Sequence, residues 1–379
     1  MNEITSRRPT WAEINLDHLA FNFHSAKAFI GEDTKYMAVV KADAYGHGSV
    51  ECAKRLEAEG VDWFGVALPE EGVELRQAGI RKLILCLGGF WSDQESIVLN
   101  YNLTPVVFQI ERAKLLNDAA ERRGTDVAIH VKVDTGLGRV GVRYDMVNEF
   151  ANSLRQLEHL RLEGVMTHLA SADDLSQNEF TELQTSRFND AVETFRSAGF
   201  SPAYLDLANS PGAVAHPDSR GNMVRLGGIL YGLGGDVLPK NSPKPELKPV
   251  LSLKTNIADL KWIKAGESVG YGRTFVAQRD SRIATIPIGY QDGLSRPLSN
   301  IGRAIVRGTS VPMAGRISMD WTVLDVTELT DVAIGDEVVL IGRQGEHEIL
   351  AEDLASATET ISYEITCGIN RRVPRVYLP

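Results

Sequence analysis

The feature that most limits how this chain can fold is an alternation that starts at Lys35 and continues to Leu226. Apolar runs of strand length, at 35–41, 63–68, 83–87, 105–108, 127–133, 162–168, 204–207 and 223–226, are separated by stretches of helical length. Several of those stretches are amphipathic, among them 69–78, 110–123 and 177–198. Strands of this kind in strict alternation with helices call for parallel pairing, and eight of them predict a (β/α)8 TIM-like barrel.

At 379 residues the chain exceeds what one hydrophobic core normally supports. A break falls at Pro239-Lys240-Asn241-Ser242-Pro243-Lys244-Pro245-Glu246, proline-rich and polar, which reads as a linker. Beyond it the pattern changes to short β-branched runs between glycine turns, at 250–260, 281–288, 304–306, 321–326 and 337–341. These predict a mainly-β domain. The expected organisation is a lead over 1–10 that is placed to pair with the β domain, a barrel over 11–238, a linker over 239–246 and the β domain over 247–379. Within the barrel segment, 11–14 is strand-like, and Asp17 is the candidate cap of a helix ending near Gly31.

Forty basic against fifty acidic residues give a net charge of −10, which argues against nucleic acid as a partner. The first nine residues lack the apolar core of a signal sequence, and no later run is long and apolar enough to cross a membrane, so a cytoplasmic location is expected. Cys52, Cys86 and Cys367 are odd in number and far apart, which fits reduced thiols in the core rather than a disulfide framework or a metal site.

In a parallel barrel the chemistry collects where the strands end. Strand one ends at Lys41, strand five at Asp134-Thr135-Gly136-Leu137-Gly138-Arg139, strand six at Thr167-His168, strand seven at Asn209-Ser210, and strand eight runs through Arg225 into Gly227-Gly228. A lysine among apolar neighbours has its pKa pushed down, which suits an amine that attacks a carbonyl; alone, Lys41 reads equally well as a side chain snorkelling to solvent. The bends at Asn209-Ser210-Pro211-Gly212 and Leu226-Gly227-Gly228 offer N–H groups and a hydroxyl to a phosphate, although taken alone a glycine after a strand is more often just a turn.

The ten residues Val39-Val40-Lys41-Ala42-Asp43-Ala44-Tyr45-Gly46-His47-Gly48 resemble the pyridoxal-phosphate (PLP) attachment motif of the alanine racemase family. The resemblance runs in the same order from Trp11 to Val376. It takes in Val269-Gly270-Tyr271-Gly272-Arg273-Thr274, Gly315-Arg316-Ile317-Ser318-Met319-Asp320 and the block from Ile361 to Arg375. One departure is Ser318, where many relatives have cysteine; the main-chain donor at Met319 is unaffected by it.

The resemblance implies PLP as cofactor, carried by Lys41 as a Schiff base, and racemisation of alanine by two bases, Lys41 for the D-enantiomer and Tyr271 for the L-enantiomer. Two are needed because the α-proton leaves one face of the reacting carbon and returns to the other. It places Tyr45, Ser210, Gly227 and Tyr363 on the cofactor phosphate, with Asn209 and Gly228 in the same cofactor-binding segments. Arg225 would face the pyridine nitrogen, donating a hydrogen bond without giving up its proton. His168 would bridge Arg225 and Tyr271. Arg139 and the Met319 N–H would hold the substrate carboxylate, and Tyr363 and Asp320 would line the narrow approach for substrate. Lys132 matches a lysine that is carbamylated in several relatives. The family assembles as a homodimer in which Tyr271 crosses to the partner's barrel, and its product D-alanine serves cell-wall peptidoglycan. Two other readings share many of these residues: a serine or broad-specificity racemase, and a PLP carrier without turnover.

Overall fold

The computed structural model describes residues 8–379; the first seven residues of the expected N-terminal lead lie outside it. The eight apolar runs of the first half form eight strands: Lys35–Val39, Trp63–Val66, Leu83–Cys86, Thr104–Val107, Val127–Asp134, Leu160–Met166, Tyr204–Asp206 and Met223–Leu226. Each pairs in parallel with its neighbour in sequence, and the eighth returns to the first, so the sheet closes into a barrel. Helices such as Ile110–Arg123 and Asn178–Ser197 cover the outside and bury Leu116, Ala120, Phe188 and Phe195. Parallel strands apolar on both faces require such a cover. The barrel interior is packed: Met37, Trp63, Leu85, Val106, Met166 and Met223 meet there, with the His130 ring stacked on Tyr204.

The strand expected at 11–14 forms over Thr10–Asn15, but it belongs to the other domain. It pairs antiparallel with Leu251–Asn256 and parallel with the terminal strand Arg375–Leu378. Alternation along this strand buries Thr10, Ala12 and Ile14 on one face only, which suits an open sheet rather than a barrel wall. The helix that follows, Leu16–Ile30, is capped by Asn15, whose side chain accepts from the His18 N–H, and not by Asp17. Residues 239–246 form neither helix nor strand. Buried Asn22 ties the chain beyond them to the barrel: it donates to the Lys248 and Leu230 carbonyls and accepts from the Lys248 N–H.

The second half is mainly β. One sheet runs Thr309–Pro312, Arg303–Val306, Glu337–Gln344, Leu251–Asn256, Thr10–Asn15, Arg375–Leu378, and a second contains Asp259–Ile263, Ser281–Ile286 and Thr322–Asp325. A small hairpin, Ser268–Val269 with Phe275–Val276, carries Tyr271 at its tip. Two short helices, Ala351–Ala357 and Ser362–Gly368, interrupt the strands, and the second brings Tyr363 to the barrel mouth. Cys52 and Cys86 are in the core; Cys367, on that second helix, is exposed instead.

Candidate active site

Lys41 follows the first barrel strand and opens a turn of unusual hand. Ala42, Asp43, Ala44 and Tyr45 all have φ near +53°, a left-handed turn built without glycine. Glu71 holds its first residue: one carboxylate oxygen accepts from the Ala42 N–H at 2.7 Å, the other from the N–H groups of Ala67 and Leu68 at the end of the second strand. At the far end His47, fully buried, points Nδ1 at the Ala44 and Tyr45 carbonyls, 2.9 and 3.1 Å away. The Arg375 guanidinium clasps the Gly46 carbonyl from the β domain. The turn thus sets Lys41 and Tyr45 on one side of the mouth, with the Lys41 amine 6.0 Å from the Tyr45 ring.

Burial pushes the Lys41 pKa down, and the positive charges of Arg139 and Arg225 push it further, against the pull of Glu71. Lys132, only 5% exposed, is lowered to about 8, again by burial first and then by Arg225 and Arg139. Two amines and two guanidinium groups therefore share one mouth. Arg139 stands on a loop shaped by Asp134, whose carboxylate accepts from the Gly136 and Gly138 N–H groups.

Arg225 ends the eighth strand and is almost fully buried. Its Nη1 donates to the Asp206 carboxylate and, at 3.2 Å, to the Asp206 carbonyl. Its Nη2 faces the Thr167 and Leu207 carbonyls and His168 Nδ1 at 3.0, 3.2 and 3.2 Å. Among the described residues only its Nε–H is left without a partner. Because a guanidinium only donates, His168 Nδ1 must accept, which leaves the proton of the neutral ring on Nε2. Burial and Arg225 lower the His168 pKa to about 2, so the ring stays neutral.

The glycines of the eighth-strand bend are in close contact with phenols. A Cβ at Gly227 would sit 2.8 Å from the Tyr45 oxygen, and one at Gly228 would sit 2.6 Å from the Tyr363 oxygen. The Gly227 N–H donates to Ser210 Oγ at 2.9 Å. Ser210, Tyr45, Tyr363, Gly227 and Gly228 thus come together. Asn209 is adjacent, but its side chain caps the helix Ser210–Ala215 through the Gly212 N–H.

Of the β-domain residues only Tyr363 joins this cluster; Tyr271, Met319 and Asp320 are not brought into it. Tyr271 is 72% exposed at its hairpin tip. Met319 is 50% exposed, and its N–H has no partner among the described residues. Asp320 accepts from Arg372 at 2.7 Å.

Residues 14–234 match the family description "Alanine racemase, N-terminal domain", and residues 250–377 match "Alanine racemase, C-terminal domain". A curated relative from Geobacter sulfurreducens named alanine racemase is 44% identical over 98% of this chain and 97% of its own length. The solved alanine racemase of Clostridium difficile 630 superposes with a TM-score of 0.93 at 39% identity, covering 98% of this chain and 96% of that one. A structure of the Clostridium difficile 630 protein described as a complex with cycloserine gives 0.89 at 38% identity, with 98% and 96% covered.

This chain belongs to the alanine racemase family.

The mouth of this alanine racemase fold suits PLP on its own geometry. It offers an amine of depressed proton affinity, a free guanidinium N–H deep in the barrel, and glycine bends where hydroxyls and N–H groups converge without a bulky side chain. Three contributors went unrecognised in the sequence. Asp206 is a carboxylate inside an apolar run read as a buried strand, which was the available signal. Glu71 occupies the third position of the helix Pro69–Gln77, where a carboxylate caps free N–H groups. Arg375 lies within the C-terminal block, but nothing local indicates that it reaches Gly46.

Proposed function

We propose that this isomerase interconverts L- and D-alanine with PLP bound at Lys41, supplying D-alanine for bacterial cell-wall peptidoglycan from the cytoplasm. The observation that carries the reading is the chain of donors from Asp206-bound Arg225 to His168 beside a lysine whose proton affinity burial has lowered. PLP supplies the electron-withdrawing ring that makes an amino acid's α-proton removable.

Lys41, deprotonated more readily than an ordinary lysine, is suited to bind the cofactor carbonyl and afterwards to move the α-proton on its own face of the substrate. The opposite face needs a second group, and Tyr271 on a second copy of the chain fills that role. With His168 Nδ1 engaged by Arg225, its Nε2–H remains to donate to a phenol oxygen and would stabilise the phenolate. A guanidinium only donates, so the unpartnered Nε–H of Arg225 would serve as a donor to the ring nitrogen. Ser210 Oγ, the Tyr45 and Tyr363 phenols and the bend at Gly227-Gly228 would hold the phosphate. Arg139 and the free Met319 N–H would grip the substrate carboxylate. Tyr363, with Asp320 on the β domain, would narrow the approach and favour a small side chain.

Incubation of the PLP-loaded protein with L-alanine or L-serine in deuterated water, followed by chiral separation and mass analysis, tests the reading. Deuterated D-alanine should form well ahead of D-serine. Faster D-serine would reassign the substrate, and formation of neither D-amino acid would refute the reaction.

A further inference from the structure

Asp206 ends the seventh barrel strand with no exposed surface. One carboxylate oxygen accepts from Arg225 Nη1, while the other is buried without any hydrogen-bond partner among the described residues. The Nη edge of Arg225 already faces three main-chain carbonyls, those of Asp206, Thr167 and Leu207, and the His168 ring. Neutral acceptors alone therefore come close to satisfying its hydrogens. A carboxylate added there carries a desolvation cost, increased by the orphaned oxygen, and what it adds is charge. Without that charge nothing anionic holds the Nη edge, and an uncompensated guanidinium would be free to turn that edge toward an anionic ligand. With the Nη edge held, Nε–H is the donor left for a ligand.

Resting on the reading of the mouth as a PLP site, we propose that Asp206 is a positioning residue: it pins Arg225 by the Nη edge so that Nε–H meets the cofactor's ring nitrogen. Asp206 acts through Arg225 and touches neither cofactor nor substrate. Its influence should therefore be felt only by a ligand that possesses that nitrogen.

The test compares apparent dissociation constants for PLP and for its 1-deaza analogue, in which carbon replaces the ring nitrogen, using the wild type and the isosteric Asp206→Asn. Asp206→Asn should weaken PLP binding by about tenfold, the value of one charge-assisted hydrogen bond, and change binding of the analogue by less than about twofold. Equal weakening for both ligands would mean that Asp206 merely supports the fold, and no change for either would mean that it does nothing here; both outcomes overturn the proposal. If Asp206→Asn does not fold, the double variant Asp206→Leu with Arg225→Met, which leaves no orphaned charge, is compared with Arg225→Met alone. The proposal expects PLP to lose its advantage over the analogue equally in both, and a further loss from Asp206→Leu would overturn it. A wild type that forms no reducible adduct at Lys41 would instead refute the functional reading.

Discussion

Lys132 shows how surroundings change what one residue type can do. A lysine in solvent is protonated at neutral pH and does not react with carbon dioxide; here burial and two arginines lower the pKa to about 8. Near that pH a substantial share of the amine is neutral, and conversion to a carbamate would place a negative charge between Arg225 and Arg139 in place of a third positive one. Carbamylation should therefore increase as pH rises through about 8. With 13C-labelled bicarbonate, a carbamate resonance should grow over that range and vanish in Lys132→Met. A resonance that persists in the variant would assign the carbamate to another amine.

The element that governs the site is the left-handed turn over residues 42–45. Left-handed helical geometry costs roughly 1–2 kcal/mol per L-residue, so the turn exists only because its surroundings hold it. Glu71 fixes its start, Asp43 accepts from the Ser49 N–H at 2.8 Å, and His47 and Arg375 fix its end. Replacement of exposed Ala42 by glycine should relieve strain, so Ala42→Gly should leave the unfolding free energy unchanged or raise it by up to about 1 kcal/mol. In an ordinary helix the same change costs about 1 kcal/mol. Glu71→Gln, which deprives at least one N–H of its acceptor, should cost about 1–3 kcal/mol. Chemical denaturation of both variants checks the pair, and a strongly destabilised Ala42→Gly would show that the turn is not strained.

At the scale of the whole molecule, the barrel presents Lys41 while the β domain of the same chain holds Tyr271 out in solvent, 72% exposed. The proposed site, which uses both, would be completed by a second copy. Subunits carrying Lys41→Ala and subunits carrying Tyr271→Phe should each be nearly inactive. Mixed in equal amounts they form heterodimers in which one of the two sites has both groups intact, so activity should return to about a quarter of the wild-type value, since random pairing makes half of the dimers mixed. Failure to recover after verified subunit exchange would contradict a shared site.

The sequence by itself determined the barrel, because parallel strands buried on both faces must be written as unbroken apolar runs, and their ends marked Lys41, Arg225, His168 and the glycine bends. It also determined the family, through motifs long enough to be specific. Only the tertiary structure decided that the strand Thr10–Asn15 joins the far domain, since its alternation suits an open sheet but does not name its partners, which lie at the other end of the chain. The same holds for Asp206, Glu71 and Arg375. Each makes its decisive contact with a main-chain or charged group distant in sequence, and hydrogen bonding of that kind leaves no periodic pattern along the chain.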